Sequence, residues 1–249
     1  MIKTRFLLYA AFCIIAYYGC SKKDVLVVKA GDLDYKTLGT SSKALLSTTV
    51  YSTLKIEIQY MPGYAPDAAA VNNLVSFLST YLNKPGGIQV DQKQVAASGA
   101  TTLTLDQIVN LEKNNRIEFT DGSTIAVHIF IVDADYSLPD ILGVSYWNTS
   151  MCIFGKLMNA NSGNIGQVSR TTFYSTVLEH EFGHLLGLVD LGAAMQLNHK
   201  DNTHGYHCTN TKCLMYYGVE NKSFAGLLTG NVPSFDANCI ADLKANGAK

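Results

Sequence analysis

His180, Glu181 and His184 stand in the spacing H-E-x-x-H. On a helix, residues four apart are separated by about 400° of rotation, so the two imidazoles project from one face and can share a metal ion at ~2.0–2.1 Å. Glu181 falls one step round the same helix. That offset keeps its carboxylate off the metal yet close beside it, which is where a general base acting on water must stand. The chemistry these three residues could carry is zinc binding coupled to proton abstraction.

Such a trio needs a helix beneath it, and the preceding run supplies one. Phe173, Val177 and Leu185 share a face with the histidines, and Ser169, Thr171 or Thr172 can each cap the start. Gly187 is a natural stop, because glycine accepts the left-handed conformation that turns a chain back on itself after a helix.

Upstream, Leu54, Ile56, Ile58 and Tyr60 alternate with polar residues as a strand with one buried face, ended by Pro62 and Gly63. Pro66 opens a helical pattern through Val71, Leu74, Leu78 and Leu82, which Pro85-Gly86-Gly87 breaks. Residues 88–96 read as a second strand. Thr104 with Gln107 forms a capping-box pattern ahead of a second helix. Residues 124–132 are nearly continuous in β-formers, the mark of a central strand covered on both faces, with His128 in its core. Residues 142–154 read as a strand pair or edge strand able to hold an extended peptide by main-chain pairing. Beyond Gly187 the chain is loop-rich until a closing helix near Phe235, Cys239 and Leu243. The fold class predicted is α/β: a twisted mixed sheet with the active helix in the N-terminal half and a loop-rich C-terminal half.

The chain has 249 residues, 47% of them hydrophobic, enough for one domain with a proper core. Net charge is −1 and no Lys/Arg-rich run appears, which argues against a nucleic-acid partner. Lys3 and Arg5, an apolar stretch to Ala16 and then Tyr17-Tyr18-Gly19-Cys20 read as a signal peptide over residues 1–20, too short for a persuasive membrane span. Its end resembles a bacterial lipobox, which implies lipid attachment at Cys20 and a cell-envelope location outside the cytoplasm. Residues 21–50 read as a tether and 51–249 as a monomeric catalytic domain. Four cysteines remain in that domain, Cys152, Cys208, Cys213 and Cys239. An oxidising compartment and the short spacing favour a Cys208–Cys213 disulfide, leaving Cys152 with Cys239.

Cys213-Leu214-Met215-Tyr216-Tyr217 follows the H-E-x-x-H-x-x-G run in the form of a Met-turn, and together they resemble the metzincin metallopeptidases. The resemblance implies a methionine, Met215, beneath the metal and a tyrosine, Tyr217, able to stabilise an oxyanion. It leaves the third zinc ligand open. Asp190 stands six residues after His184, where the family places that ligand. His207-Cys208, followed by Cys213 and Met215, is similar instead to the HC-x4-C-x-M segment of archaemetzincins, which makes His207 the favoured ligand and Asp190 the alternative. His199 and His204 lie in the insertion between and could compete. The later CxxC of the archaemetzincin second zinc site is absent, which favours a disulfide at Cys208 and Cys213.

The resemblance implies a zinc endopeptidase acting on peptide or protein substrates, with Glu181 as general base and Tyr217 assisting. The alternative is a surface binding lipoprotein whose zinc is structural. Three protein ligands with an open position favour the first, four protein ligands the second.

Overall fold

The computed structural model describes residues 32–228 and 230–249. The segment assigned to the signal peptide, with Cys20, lies outside them. Among the described residues no helix is long and apolar enough to cross a membrane.

The core is a five-stranded sheet in the order β2-β1-β4-β7-β6. Strands β1 (Thr53–Tyr60), β2 (Ile88–Gln94), β4 (Thr124–Val132) and β7 (Ser150–Phe154) run parallel, and β6 (Gly143–Trp147) closes one edge antiparallel to β7. A two-stranded pair, β3 (Thr102–Leu103) and β5 (Asp135–Tyr136), lies apart from it. Because side chains alternate along a strand, β4 serves two cores at once. Ile125, Val127, Ile129 and Ile131 face one core, while Phe130 and Val132 face the other.

The first core is roofed by α2 (Ala68–Tyr81) and α5 (Arg170–Leu185), the second by α3 (Leu105–Asn115). The caps follow the local chemistry. Asp67 accepts from Ala70 N at the start of α2, and Thr104 and Gln107 complete the capping box of α3. α4 (Gly155–Ala160) follows β7, and α6 (Ala237–Ala245) ends the chain from an Asp236 cap. Two 3-10 turns, Tyr217–Glu220 and Lys222–Leu227, fill the loop-rich half.

The packed body begins well inside the stretch expected to be a tether. Asp34 is fully buried, accepting from Thr120 N and pairing with Arg116 at 3.3 Å, and α1 (Ser42–Leu46) places Leu45 and Leu46 in the main core. The serine-rich composition concealed this because its polar groups are satisfied internally. Ser42 Oγ donates to Leu186 O, and Lys84 Nζ donates to the carbonyls of Ala44, Ser47 and Tyr51. His128 is a buried core residue, its Nε2 3.2 Å from Gln59 Oε1.

Candidate metal site

α5 is buried along nearly its whole length, from Phe173 to Leu185. Ser169 caps it, accepting from Thr172 N. Its end is a Schellman turn: Leu188 N donates to Gly183 O, Gly187 N donates to His184 O, and Gly187 has φ 79°. A side chain at Gly187 would also meet Ala193 N at 2.6 Å, so glycine is required twice over. A helix enclosed on all sides needs apolar residues all round. Glu179, His180, Glu181 and His184 break that rule together, and buried polar groups of this kind need partners to offset their desolvation.

His180, His184 and His207 converge at this end of α5, with Glu220 among them. His180 and His184 Nε2 lie 3.2 Å apart. The His180 and His207 rings are nearly parallel, with centroids 5.4 Å apart. Each of those two rings is fixed through its other nitrogen: His180 Nδ1 donates to Leu214 O at 2.6 Å and His207 Nδ1 to His204 O at 2.7 Å. Such bonds select the tautomer that leaves Nε2 bare, the form that ligates. Burial pulls the pKa of His184 down to about 4, so it is neutral at neutral pH, whereas at His207 the effect of burial is outweighed by the Glu220 carboxylate and the pKa is raised.

Glu181 is fully buried beside this group. Ser145 Oγ, from β6, lies 2.8 Å from Glu181 Oε2 and donates to it, while Oε1 has no hydrogen-bond partner. Burial, reinforced by the nearby Glu220 carboxylate, raises its pKa well above the carboxylate range against the pull of Ser145. An acid perturbed in this way has a heightened affinity for a proton. Gly143, also on β6, makes the room, since a Cβ there would lie 2.7 Å from Glu181 Oε1.

Met215 lies under the helix, where a Cβ on Gly183 would run into its sulfur. Tyr217 does not enter the histidine group; it stacks on the His204 ring with centroids 3.5 Å apart. Asp190 is also elsewhere. With φ 72° it turns outward, its side chain 57% exposed and paired with Lys200 at 2.8 Å. His204 pairs with Asp201 at the surface. Glu220 was missed from the sequence, where its only signal is a carboxylate five residues after Met215.

The expected Cys208–Cys213 disulfide is absent, and all four domain cysteines are free and buried. Cys213 Sγ lies 3.6 Å from Cys239 Sγ on α6, and Cys208 Sγ lies 3.4 Å from His199 Nδ1. His199 Nδ1 is 4.0 Å from Cys239 Sγ, and its Nε2 is held by the buried Asp242 at 2.8 Å. Hydrogen bonds from Cys208 and Cys239 bring the Cys213 thiol down to about 4. His199, Cys208, Cys239 and Asp236 form a second group able to hold a metal ion, with Cys213 against it. Spacing alone favoured a short loop bridge because it could not show α6 delivering Cys239 between the two sulfurs' surroundings.

No family model and no curated protein matches this chain. Among solved structures, archaemetzincin from Methanopyrus kandleri aligns with a TM-score of 0.52 at 14% identity, covering 78% of this chain and 96% of that one. Metalloproteinase-II from Bacteroides fragilis aligns with a TM-score of 0.42 at 16% identity, covering 83% of this chain and 60% of that one. The first likeness establishes an archaemetzincin-like fold, mixed α/β with a mostly parallel sheet.

Proposed function

We propose that this chain is a zinc metallopeptidase of metzincin type, with His180, His184 and His207 holding the metal and Glu181 as general base. The observation that carries the reading is the buried Glu181, its free Oε1 set beside three converging imidazoles. When bound, zinc supplies Lewis acidity that acidifies water and polarises a peptide carbonyl. Glu181 accepts the proton of the attacking water on Oε1 and returns it to the leaving amine, while Ser145 holds Oε2 and fixes the carboxylate plane. The edge strand β6 can pair with an extended peptide. It borders a cleft of about 780 Å³ that includes Tyr35, Trp147, Leu191 and Tyr206, surroundings suited to apolar side chains. Oxyanion stabilisation by Tyr217 would require it to leave its stack on His204.

The cysteine–histidine group fits a second, structural zinc. Ligand bonds of ~2.3 Å to sulfur and ~2.0–2.1 Å to nitrogen set neighbouring atoms of a tetrahedral site about 3.5–3.8 Å apart. The separations of 3.4 Å and 4.0 Å from His199 Nδ1 to the Cys208 and Cys239 sulfurs lie around that range. Lipid anchoring through Cys20 would place the enzyme on the outer side of a membrane.

The test is Glu181→Gln. Peptide hydrolysis should be abolished while zinc at the histidine site is retained, because the change removes the base and leaves the ligands. Comparable turnover in variant and parent would sink the mechanism. The second reading, a binding protein with a closed zinc site, draws support from the Glu220 carboxylate among the histidines.

A further inference from the structure

One of the four atoms that meet beside α5 is not an imidazole nitrogen. Glu220 Oε1 lies 3.0 Å from His207 Nε2, 3.1 Å from His184 Nε2 and 3.5 Å from His180 Nε2. His180 and His184 Nε2 are 3.2 Å apart. A tetrahedral zinc with ligand bonds of ~2.0–2.1 Å sets neighbouring ligand atoms about 3.3 Å apart. These four separations bracket that value. The His207 nitrogen adds an independent sign. It is buried and, although 3.0 Å from the carboxylate, is not aligned for a full hydrogen bond to it, whereas His184 Nε2 is hydrogen-bonded to the same oxygen at 3.1 Å; one oxygen thus serves several nitrogens at once, as a ligand atom around a shared ion does.

We infer that Glu220 is a fourth protein ligand that closes the zinc in the resting protein, and that its side chain must swing out before water can take the position. The inference rests on the zinc reading above and reconciles its two versions. A base beside a closed site is idle until the carboxylate leaves.

The backbone around Glu220 is tied to its neighbours, and its side chain is held only at the carboxylate, by the imidazoles. Leu142 N donates to Glu220 O at 2.8 Å and Lys222 N to Asp140 O at 3.0 Å, which ties this segment to the start of β6. The side chain is 26% exposed. It lies between a cleft of about 200 Å³ containing Val144 and Ser145 and a cavity of about 530 Å³ containing Tyr216 and Phe224. Rotation into the larger cavity therefore releases the metal position without moving the main chain. A peptide pairing along β6 would arrive beside this same carboxylate, which makes substrate the natural trigger. The exchange is balanced, with one carboxylate oxygen leaving and one water oxygen arriving.

The experiment uses cobalt(II)-loaded protein and azide as the probe of an open position, read by visible absorption, with zinc affinity measured alongside by chelator competition. Glu220→Ala should bind azide at concentrations at least about tenfold below the parent, and its zinc affinity should fall by at least about tenfold, since a lost ligand costs no less than a lost outer partner. Glu220→Gln, nearly the same size, should behave like Glu220→Ala, and circular dichroism of the metal-free forms should be unchanged. Equal azide binding in parent and variants, with zinc affinity unchanged, overturns the inference and leaves the zinc reading standing. A parent whose metal content does not depend on His180 overturns both.

Discussion

Gly143→Ala isolates the positioning of the proposed general base, Glu181, from everything else at the site. Gly143 lies on the β6 face that looks at α5, and an added Cβ would meet Glu181 at Oε1 (2.7 Å), Cγ (2.9 Å) and Cδ (3.1 Å). Ordinary contact begins at 3.4 Å, so the carboxylate must retreat by the difference between 3.4 and 2.7, about 0.7 Å. It cannot retreat freely, because Ser145 Oγ holds Oε2 at 2.8 Å. A misplacement of ~1 Å at a reacting group costs about 10²-fold, so 0.7 Å predicts a fall in kcat of roughly 30–100-fold, or about 2–2.7 kcal/mol in the barrier. KM should hold, since the methyl points away from the edge where a substrate would pair. Zinc content should hold too, because neither residue is a ligand. The assay is steady-state hydrolysis of a quenched peptide pool at matched zinc content. A kcat within about threefold of the parent would refute the reasoning, since no catalytic carboxylate tolerates such a shift so lightly.

His207→Ala should weaken zinc binding at the histidine site by more than about 100-fold, whereas Asp190→Asn should stay within about threefold, its exposed pair with Lys200 contributing at most ~1 kcal/mol to stability; chelator competition on both variants decides, and the opposite order would reinstate Asp190. The parent should carry two zinc ions per chain and Cys239→Ser one, and at free zinc about 100-fold above Kd the missing ion removes ~2.7 kcal/mol, a fall in Tm of about 5–10 °C for a domain of this size. Thiol labelling of the denatured, unreduced parent should modify both Cys208 and Cys213; a disulfide-linked peptide joining them would exclude the metal.

The elements legible in the sequence are those specified by short-range physics. Period-two alternation located β1, continuous β-formers located β4, and the capping box located the start of α3. The spacing of His180, Glu181 and His184 is likewise a local fact, because four residues of helix fix their relation whatever surrounds it. His207 and Glu220 depend on irregular chain, where no period constrains direction. His207 could be nominated only by resemblance, and Glu220 not at all. Glu220 reaches the site at the end of a 3-10 turn and His207 from an irregular segment tied by single main-chain bonds, such as Asp201 N to His207 O, which no window of sequence encodes. Residues 34–47 failed for a different reason: their burial is supported by Arg116 and Lys84, partners far along the chain.

That irregular chain must nevertheless place a ligand to within about half an ångström, and the second cluster explains how it can. His207 and Cys208 are adjacent, one in each group, so any restraint on the sulfur is felt by the imidazole one residue away. At the other end of the loop Cys213 is followed by Leu214, whose carbonyl orients His180, and by Met215, which packs beneath Gly183. Cys208 N donates to Met215 O at 2.7 Å, closing the loop on itself between the two centres. A helix or strand would ordinarily supply such rigidity through its ladder of backbone bonds; here a metal held by Cys208, Cys239, His199 and their neighbours would do the same work. A chain with so little regular structure after Gly187 can in this way carry half of the proposed site, with Cys208 and Cys239 set against His199 and bridged to no other cysteine.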